Sequence, residues 1–194
     1  MSKKIFIAFG HHNFKSGSSF NAAVRDTFID ECKKLGHKVD LVNIYEDKQL
    51  KFWDDDGPNE QILDYRKRLE QTDVMLIMSP CHNYIMNSAT ENFITNIFTP
   101  PWSFSYKKIF LNYGFPKPGV LKGKIAIIGM TYGGPSFFVS AIMQQIPRRV
   151  KAAVFKGLCG MSIKYLRMYE VLPNMPKETF EKHMKKVRKT VQEL

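Results

Sequence analysis

Short apolar segments alternate with longer amphipathic segments along most of the chain. Runs of apolar residues, or apolar residues at every second position, are typical of strands, whereas spacings of three and four are typical of helices. The runs predict strands over residues 4–9, 39–44, 74–78, 124–130 and 158–166. The helical spacing predicts helices over residues 19–35, 59–70, 88–98, 136–146 and 176–194. Gly36 and Pro147 follow two of these helices as stop signals.

Strands that alternate with helices in this way indicate βαβ units and a parallel sheet. Five strands fit the order 2-1-3-4-5 of a flavodoxin-like, three-layer α/β sandwich, with helices on both faces of the sheet. The length of 194 residues with 44% hydrophobic residues is typical of one domain, so we assign residues 1–194 to a single domain. The acidic stretch 53–58 predicts a surface loop, and residues 102–122 show no clear period.

The net charge of +11 has one source in the sequence. Between Glu91 and Glu170 there is no acidic residue, and eleven lysines and arginines account for the whole excess. Such a positive field favours anionic partners, including phosphate-bearing cofactors, anionic substrates and nucleic acid. A solvated basic surface that aids solubility is the alternative. No nucleic-acid-binding motif accompanies the charge, so nucleic acid is the less favoured partner.

The cysteines and the first residues indicate a cytoplasmic protein. Cys32, Cys81 and Cys159 are widely spaced and odd in number, which gives neither a disulfide framework nor a metal-ligand pair. The apolar run at residues 5–9 is too short for the core of a signal peptide and reads as the first strand. No run approaches the ~20 apolar residues that span a bilayer. We therefore expect no metal site and no membrane insertion.

The first candidate site is the polar segment 10–21, which follows the first strand. In an open parallel sheet, ligands bind beyond the carboxyl ends of the strands. This segment is rich in Ser, Gly and Asn and leads into a helix N-terminus, where free N–H groups and the helix dipole attract anions. It matches neither the dinucleotide fingerprint nor a Walker loop. An ordinary helix N-cap at Ser18 or Ser19 is the alternative.

Two further polar segments follow the third and fourth strands. Residues 79–84 offer thiol, imidazole, amide and phenol groups that can bind the polar edge of a heterocycle and stack on its face. Cys81 and His82 are neighbours on an extended segment, so their side chains point apart and a Cys–His nucleophilic pair is not favoured. In residues 130–135, the paired Gly133 and Gly134 let the backbone approach a flat ligand, although a simple tight turn explains them equally.

Several short motifs, in this order and spacing, make the chain similar to the flavodoxin-like NAD(P)H:quinone oxidoreductases, which include azoreductases and the ancillary subunit of potassium-efflux systems. The resemblance covers residues 4–188. The motifs that carry it are Ser19-Phe20-Asn21, residues 73–80, Phe104-Ser105-Tyr106, Lys122-Gly123-Lys124 and Thr131-Tyr132-Gly133-Gly134.

The resemblance implies a flavin site and two half-reactions at one flavin face, in which NAD(P)H delivers a hydride and the acceptor then takes two electrons. The implied phosphate-binding residues are His12, Ser18, Ser19 and Asn21, and Phe20 between them is a further implied cofactor-binding residue. The implied residues around the isoalloxazine are Pro80, Cys81, His82, Asn83, Tyr84, Thr131, Tyr132, Gly133 and Gly134. Tyr132 and His82 are the candidate catalytic residues. The family relation also implies a homodimer with the site at the subunit interface.

Two points stay open in the sequence. The cofactor is FMN or FAD, and the short chain favours FMN because it leaves little structure to hold an adenine. The Tyr and His that assist quinone reduction elsewhere in the family are absent from residues 136–145, so the acceptor is open. A flavin-binding electron-transfer or regulatory subunit, and a polyanion-binding protein with decayed flavin loops, are the alternative functions.

Overall fold

The computed structural model describes residues 1–47, 50–52, 57–110, 113–142 and 151–194. Its strands are β1 (Lys4–Phe9), β2 (Lys38–Asn43), β3 (Val74–His82), β4 (Ile85–Met86), β5 (Phe104–Phe110), β6 (Tyr113–Pro118), β7 (Ile125–Thr131) and β8 (Ser162–Met168). The parallel strands pair in the order β2-β1-β3-β7-β8. Because β7 and β8 are the predicted fourth and fifth strands, the predicted order 2-1-3-4-5 is confirmed.

The helices follow the predicted pattern with small shifts at their ends. They are α1 (Phe20–Lys34), α2 (Glu60–Glu70), α3 (Ser88–Ile97) and α4 (Lys177–Gln192), with a short 3-10 helix at Ile44–Glu46 and π-helical turns at Phe138–Ile142 and Ala153–Leu158. Ser19, one of the two predicted caps, accepts a hydrogen bond from the Ala22 N–H at the start of α1. The predicted helix 136–146 is helical as far as residue 142, and its remainder and Pro147 lie outside the described residues.

The two faces of the sheet explain the three layers. On β1, Phe6 and Ala8 point to one face and pack in a core shared with α2 and α3, for example with Phe93. Ile5, Ile7 and Phe9 point to the other face, where α1 and α4 cover them. A strand with both faces buried reads as a continuous apolar run, which is why residues 4–9 show no polar alternation.

The structure corrects three sequence interpretations. The strand predicted over residues 158–166 lies at Ser162–Met168, because Ala153–Leu158 form π-helical turns before it. Residues 79–82, predicted as a loop, continue β3, which then turns at Asn83 and Tyr84 and pairs antiparallel with β4. Both turn residues have positive φ, of 47° and 70°, as a type I′ hairpin turn requires. The turn was missed because Asn-Tyr lacks the glycine that usually marks it. Residues 102–122, without a clear period, contain the two-stranded ribbon of β5 and β6.

Some predicted features fall on residues without a described position. Residues 53–56 of the predicted acidic loop lie outside the described residues, as do Arg148 and Arg149 of the basic segment. No helix in the described ranges is long and apolar enough to cross a membrane. The three cysteines are free thiols, and Cys32 and Cys159 are buried.

Candidate functional site

Three polar segments meet at the carboxyl edge of the sheet. β3 lies between β1 and β7, with Phe9 opposite Met78 and Pro80 opposite Thr131. The strand order reverses between β1 and β3, and this switch point is where open α/β sheets bind ligands. The segment after β1, the β3–β4 hairpin and the segment after β7 are therefore neighbours, as the sequence predicted.

The segment between β1 and α1 is folded around one carbonyl. The Asn13 carbonyl accepts hydrogen bonds from Ser18 Oγ at 3.1 Å and Ser19 Oγ at 3.0 Å. The Ser19 hydroxyl also accepts from the Ala22 N–H, and the other N–H groups in the first turn of α1 have no acceptor within the helix. These donors and the dipole of α1 make this end of the site suitable for a phosphate.

Arg25 of α1 holds this segment through a hydrogen bond and an ion pair. Its role was not predicted from the sequence. Its side chain is 5% exposed, and its guanidinium lies 4.7 Å from the centre of the Phe9 ring. It donates to the Phe14 carbonyl and pairs with Asp26, whose other oxygen accepts from Ser16 Oγ at 2.7 Å. An arginine on the apolar face of a predicted helix was the available signal, since buried charges are normally paired.

Histidines link the first segment to the hairpin. The rings of His11 and His12 stack with centroids 4.6 Å apart, and Tyr45 lies edge-on to His12 at 6.2 Å. Burial lowers the pKa of His11, and the charges of His12 and His82 lower it further, whereas its contact with the Asn13 carbonyl raises it. Within the described ranges, no three histidine, cysteine or carboxylate side chains are placed to hold a metal ion.

The tip of the hairpin presents its polar groups to solvent. His82, Asn83 and Tyr84 are exposed, and the Tyr84 ring stands on a backbone with φ of 70°. Cys81 is half-buried, and burial raises the pKa of its thiol although a backbone hydrogen bond with Tyr84 opposes this shift. Cys81 is therefore a protonated thiol at neutral pH, as expected for a residue that packs rather than attacks.

Asn87 joins the hairpin to the end of β1. This buried side chain caps α3, where its Oδ1 accepts from the Thr90 N–H at 3.0 Å and from the Thr90 hydroxyl at 2.9 Å. Its Nδ2 donates to the Gly10 carbonyl, and its own N–H donates to Ser79 Oγ at 3.1 Å. One asparagine thus holds two of the three site segments in register.

Replacing Gly10 by alanine is expected to destabilise the fold. A Cβ at this position would lie 1.8 Å from Thr90 Oγ1 and 3.3 Å from the Met78 carbonyl, so the chain around Thr90 must shift. Overpacking of this kind costs ~2 kcal/mol. Urea unfolding of Gly10→Ala measures the loss.

Adding Thr90→Ala to Gly10→Ala is the matching control, because it removes the clashing hydroxyl. The double variant is expected to lose less stability than the two single losses combined. Additive losses would show that Gly10 does not need its close approach to α3.

The segment after β7 presents backbone rather than side chains. Thr131 Oγ1 donates to Asn21 Oδ1 at 3.2 Å, which joins this segment to α1. The Tyr132 ring is buried and stacks on Tyr169, and its hydroxyl contacts Met130 Sδ at 3.3 Å. The Tyr132 hydroxyl therefore points into the protein, so this residue contributes to the site through its backbone.

Gly133 and Gly134 leave an open surface at this edge. The nearest atoms to an added Cβ are Leu172 Cδ2 at 3.9 Å and Val139 Cγ2 at 3.6 Å, both ordinary contacts, and neither glycine has positive φ. The protein itself therefore does not require glycine here. The approach of a ligand to the backbone explains the pair better.

The predicted site residues do not all present their side chains to this edge. Phe20 packs its ring against Phe180 and His183 of α4, so only its backbone N–H lies at the start of α1. The segment after β8 also borders the site, since the Glu170 N–H donates to the Gly134 carbonyl at 3.2 Å. Its contribution was missed because Glu170 and Leu172 carry no recognisable motif.

An open parallel sheet in the order β2-β1-β3-β7-β8, with helices on both faces, defines an α/β protein of the flavodoxin class. The family model described as a flavodoxin-like fold (Flavodoxin_2) matches residues 3–193, and the chain belongs to this family. No curated protein sequence matches the chain.

Solved structures agree with this class. An NAD(P)H:quinone oxidoreductase from Methanothermobacter marburgensis superposes with a TM-score of 0.83 and 12% identity, covering 99% of this chain and 98% of its own. An FMN-dependent NADH-azoreductase from Bacillus anthracis, solved with FMN, superposes with a TM-score of 0.80 and 16% identity. The match covers 100% of this chain and 99% of the azoreductase. A putative quinone reductase from Klebsiella pneumoniae superposes with a TM-score of 0.81 and 15% identity. The match covers 98% of this chain and 84% of the reductase. At these identities the similarity shows the fold.

Proposed function

We propose that this protein is an FMN-dependent NAD(P)H oxidoreductase that reduces a quinone-like aromatic acceptor. The observation that carries the proposal is the open Gly133–Gly134 backbone, which lies at the same edge of the sheet as the exposed Tyr84 and the N-terminus of α1. Such a surface fits a flat ring that carries a phosphate. The azoreductase of the same fold was solved with FMN, which supports FMN over FAD.

The residues present fit the three parts of FMN. The first turn of α1, with His12, Ser18, Ser19 and Asn21 around it, would hold the phosphate. The hairpin residues from Pro80 to Tyr84 would line the ring. The backbone of residues 131–134 would meet its pyrimidine edge, where N–H donors favour the charge that develops on reduction.

FMN, when bound, supplies the redox chemistry by taking a hydride from NAD(P)H and passing two electrons to the acceptor. The balanced reaction consumes NAD(P)H, one proton and a quinone, and it yields NAD(P)⁺ and the hydroquinone. Of the two candidate catalytic residues, His82 is the one whose side chain is exposed at the site. Its imidazole can exchange protons with solvent and hold one near the acceptor.

Steady-state oxidation of NAD(P)H tests the proposal. FMN-loaded protein is expected to oxidise NADPH or NADH over many cycles when a quinone is supplied. Comparing the two nucleotides tests whether the exposed Lys107, Lys108 and Lys117 favour the 2′-phosphate of NADPH. Bound FMN with a single reduction and no further cycles would instead support the electron-transfer alternative.

Tyr84→Gly separates the structural role of the hairpin tip from its proposed binding role. Glycine adopts the left-handed conformation without the steric penalty of ~1 kcal/mol that other residues meet, so the variant is expected to be more stable than the wild type. Loss of the stacking ring is expected to weaken FMN binding about tenfold, which corresponds to ~1.4 kcal/mol. Urea unfolding and FMN fluorescence titration measure the two effects. Unchanged FMN affinity would remove Tyr84 from the site.

We also propose that the protein forms a homodimer. The ribbon of β5 and β6 exposes the apolar rings of Tyr106 and Phe115, and Phe137 is exposed beside the Gly133–Gly134 backbone. Exposed apolar groups of this kind are common at protein interfaces. Sedimentation velocity is expected to show a dimer, and a monomer at micromolar concentration would contradict this proposal.

A further inference from the structure

A groove of about 600 Å³ runs between the β3–β4 hairpin and α3. Its apolar surface comes from Phe52, Ile85 and Met86, and its polar wall comes from the first two turns of α3. His82 and Asn83 line the groove and also belong to the proposed ring site. A molecule in the groove would therefore lie beside the proposed flavin.

Three of the seven polar side chains that line the groove are already engaged within the protein. Asn87 holds Gly10 and Thr90, Asn92 bonds Lys51 and Asn96, and the Thr95 hydroxyl donates to the Glu91 carbonyl. In the described part of the chain, the groups that remain for a ligand are the His82 imidazole, the Asn83 amide, the Ser88 hydroxyl and one oxygen of the Glu91 carboxylate.

The charge of the groove differs from that of the protein as a whole. Glu91 pairs with Lys151, but the side chain of Lys151 is 5% exposed whereas that of Glu91 is 30% exposed. The buried ammonium therefore lies behind its partner, and the carboxylate faces the groove. Lys151 balances this carboxylate from the side away from the groove, and the described lining residues include no lysine or arginine, although the whole chain carries +11.

We propose that this groove holds the electron acceptor and that Glu91 selects uncharged aromatic acceptors over anionic ones. This inference rests on the proposed function. An anionic substituent would meet a partly desolvated carboxylate, and like charges in such a setting are strongly disfavoured. The carbonyl groups of a quinone can instead accept hydrogen bonds from the Ser88 hydroxyl and the Asn83 amide N–H, and a hydroquinone hydroxyl can donate to the free Glu91 oxygen. The basic surface predicts the opposite preference, so the two effects can be told apart.

Binding of two ligands with the same ring system tests the proposal without turnover. We would measure 1-naphthol and 1-naphthalenesulfonate binding to the FMN-loaded protein by isothermal titration calorimetry. Naphthol is expected to bind at least about tenfold more tightly than the sulfonate, in line with the cost of opposing like charges. Equal or tighter binding of the sulfonate would overturn the proposal.

Variants assign the preference to Glu91. Glu91→Gln is expected to reduce the naphthol preference several-fold, and Glu178→Gln, the same charge change on exposed α4, is expected to leave it unchanged. The double variant Glu91→Gln with Lys151→Met removes the buried ammonium as well. It is also expected to prefer naphthol over the sulfonate less strongly than the wild type does. An unaltered preference in both Glu91 variants would overturn the role of Glu91.

The same proteins would be assayed for quinone turnover. If the protein prefers naphthol but turns over no quinone, the proposed oxidoreductase activity is contradicted. The selection of uncharged aromatic ligands by Glu91 in the groove would still stand. Turnover of neutral and sulfonated naphthoquinones at equal kcat/KM in the wild type would support the oxidoreductase and overturn the selection by Glu91.

Discussion

Asn87→Ala is expected to cost ~3 kcal/mol of the free energy of unfolding, since it removes a helix cap and leaves buried polar groups unpaired. Asn87 caps α3 through Thr90 and donates to the Gly10 carbonyl, and its side chain is buried. Alanine leaves the Gly10 carbonyl and the Thr90 hydroxyl without this partner. Urea unfolding measures the loss, and FMN titration is expected to show weaker binding because the hairpin and β1 lose their link.

Asn59→Ala is the matched control for this result. Asn59 caps α2 through the Ile62 N–H at 3.0 Å, but it is only half-buried. Loss of this cap is expected to cost ~1 kcal/mol. Equal losses for the two variants would show that the Asn87 bond to Gly10 adds nothing beyond an ordinary cap.

Gly133→Val is expected to weaken FMN binding about a hundredfold, which corresponds to ~2.7 kcal/mol, and to leave folding nearly unchanged. The expectation follows from the open space at Gly133, where an added Cβ meets only Leu172 at 3.9 Å. The valine side chain would occupy the volume that the proposed flavin needs next to the backbone. Fluorescence titration measures the affinity, and thermal unfolding of the FMN-free protein measures the stability.

Gly157→Val is the control, because Gly157 is also an exposed glycine with open space around an added Cβ. No atom lies within 4 Å of an added Cβ at Gly157, and this glycine lies in the helical turns after β7, away from the Gly133 segment. It is expected to bind FMN as the wild type does. Equal affinities for all three proteins would show that the flavin does not approach Gly133.

The sequence predicted the sheet because its buried strands are long apolar runs. Strand β1 was predicted with its exact bounds, since Gly10 ends the run and every side chain from Ile5 to Phe9 is buried. The end of α1 at Gly36 was readable because a glycine directly after a helix has one dominant structural use.

The contacts between segments were harder to predict from the sequence. The type I′ turn at Asn83 and Tyr84 carries no glycine, so the continuation of β3 to His82 and the strand β4 were missed. The roles of Arg25 and Asn87 depend on partners 11 and 77 residues away in the chain, which a local pattern does not reveal. The burial of the Tyr132 hydroxyl likewise follows from its packing on Tyr169, which β8 brings to the site.

The central claim is that the carboxyl edge of this sheet holds a flavin that NAD(P)H reduces. The most direct test is the visible absorbance spectrum of the protein after incubation with FMN and removal of unbound FMN, recorded before and after anaerobic addition of NAD(P)H. We predict the spectrum of oxidised flavin at about one FMN per chain, its bleaching by NAD(P)H and its return when a quinone is added. A colourless protein after incubation with FMN would contradict the claim.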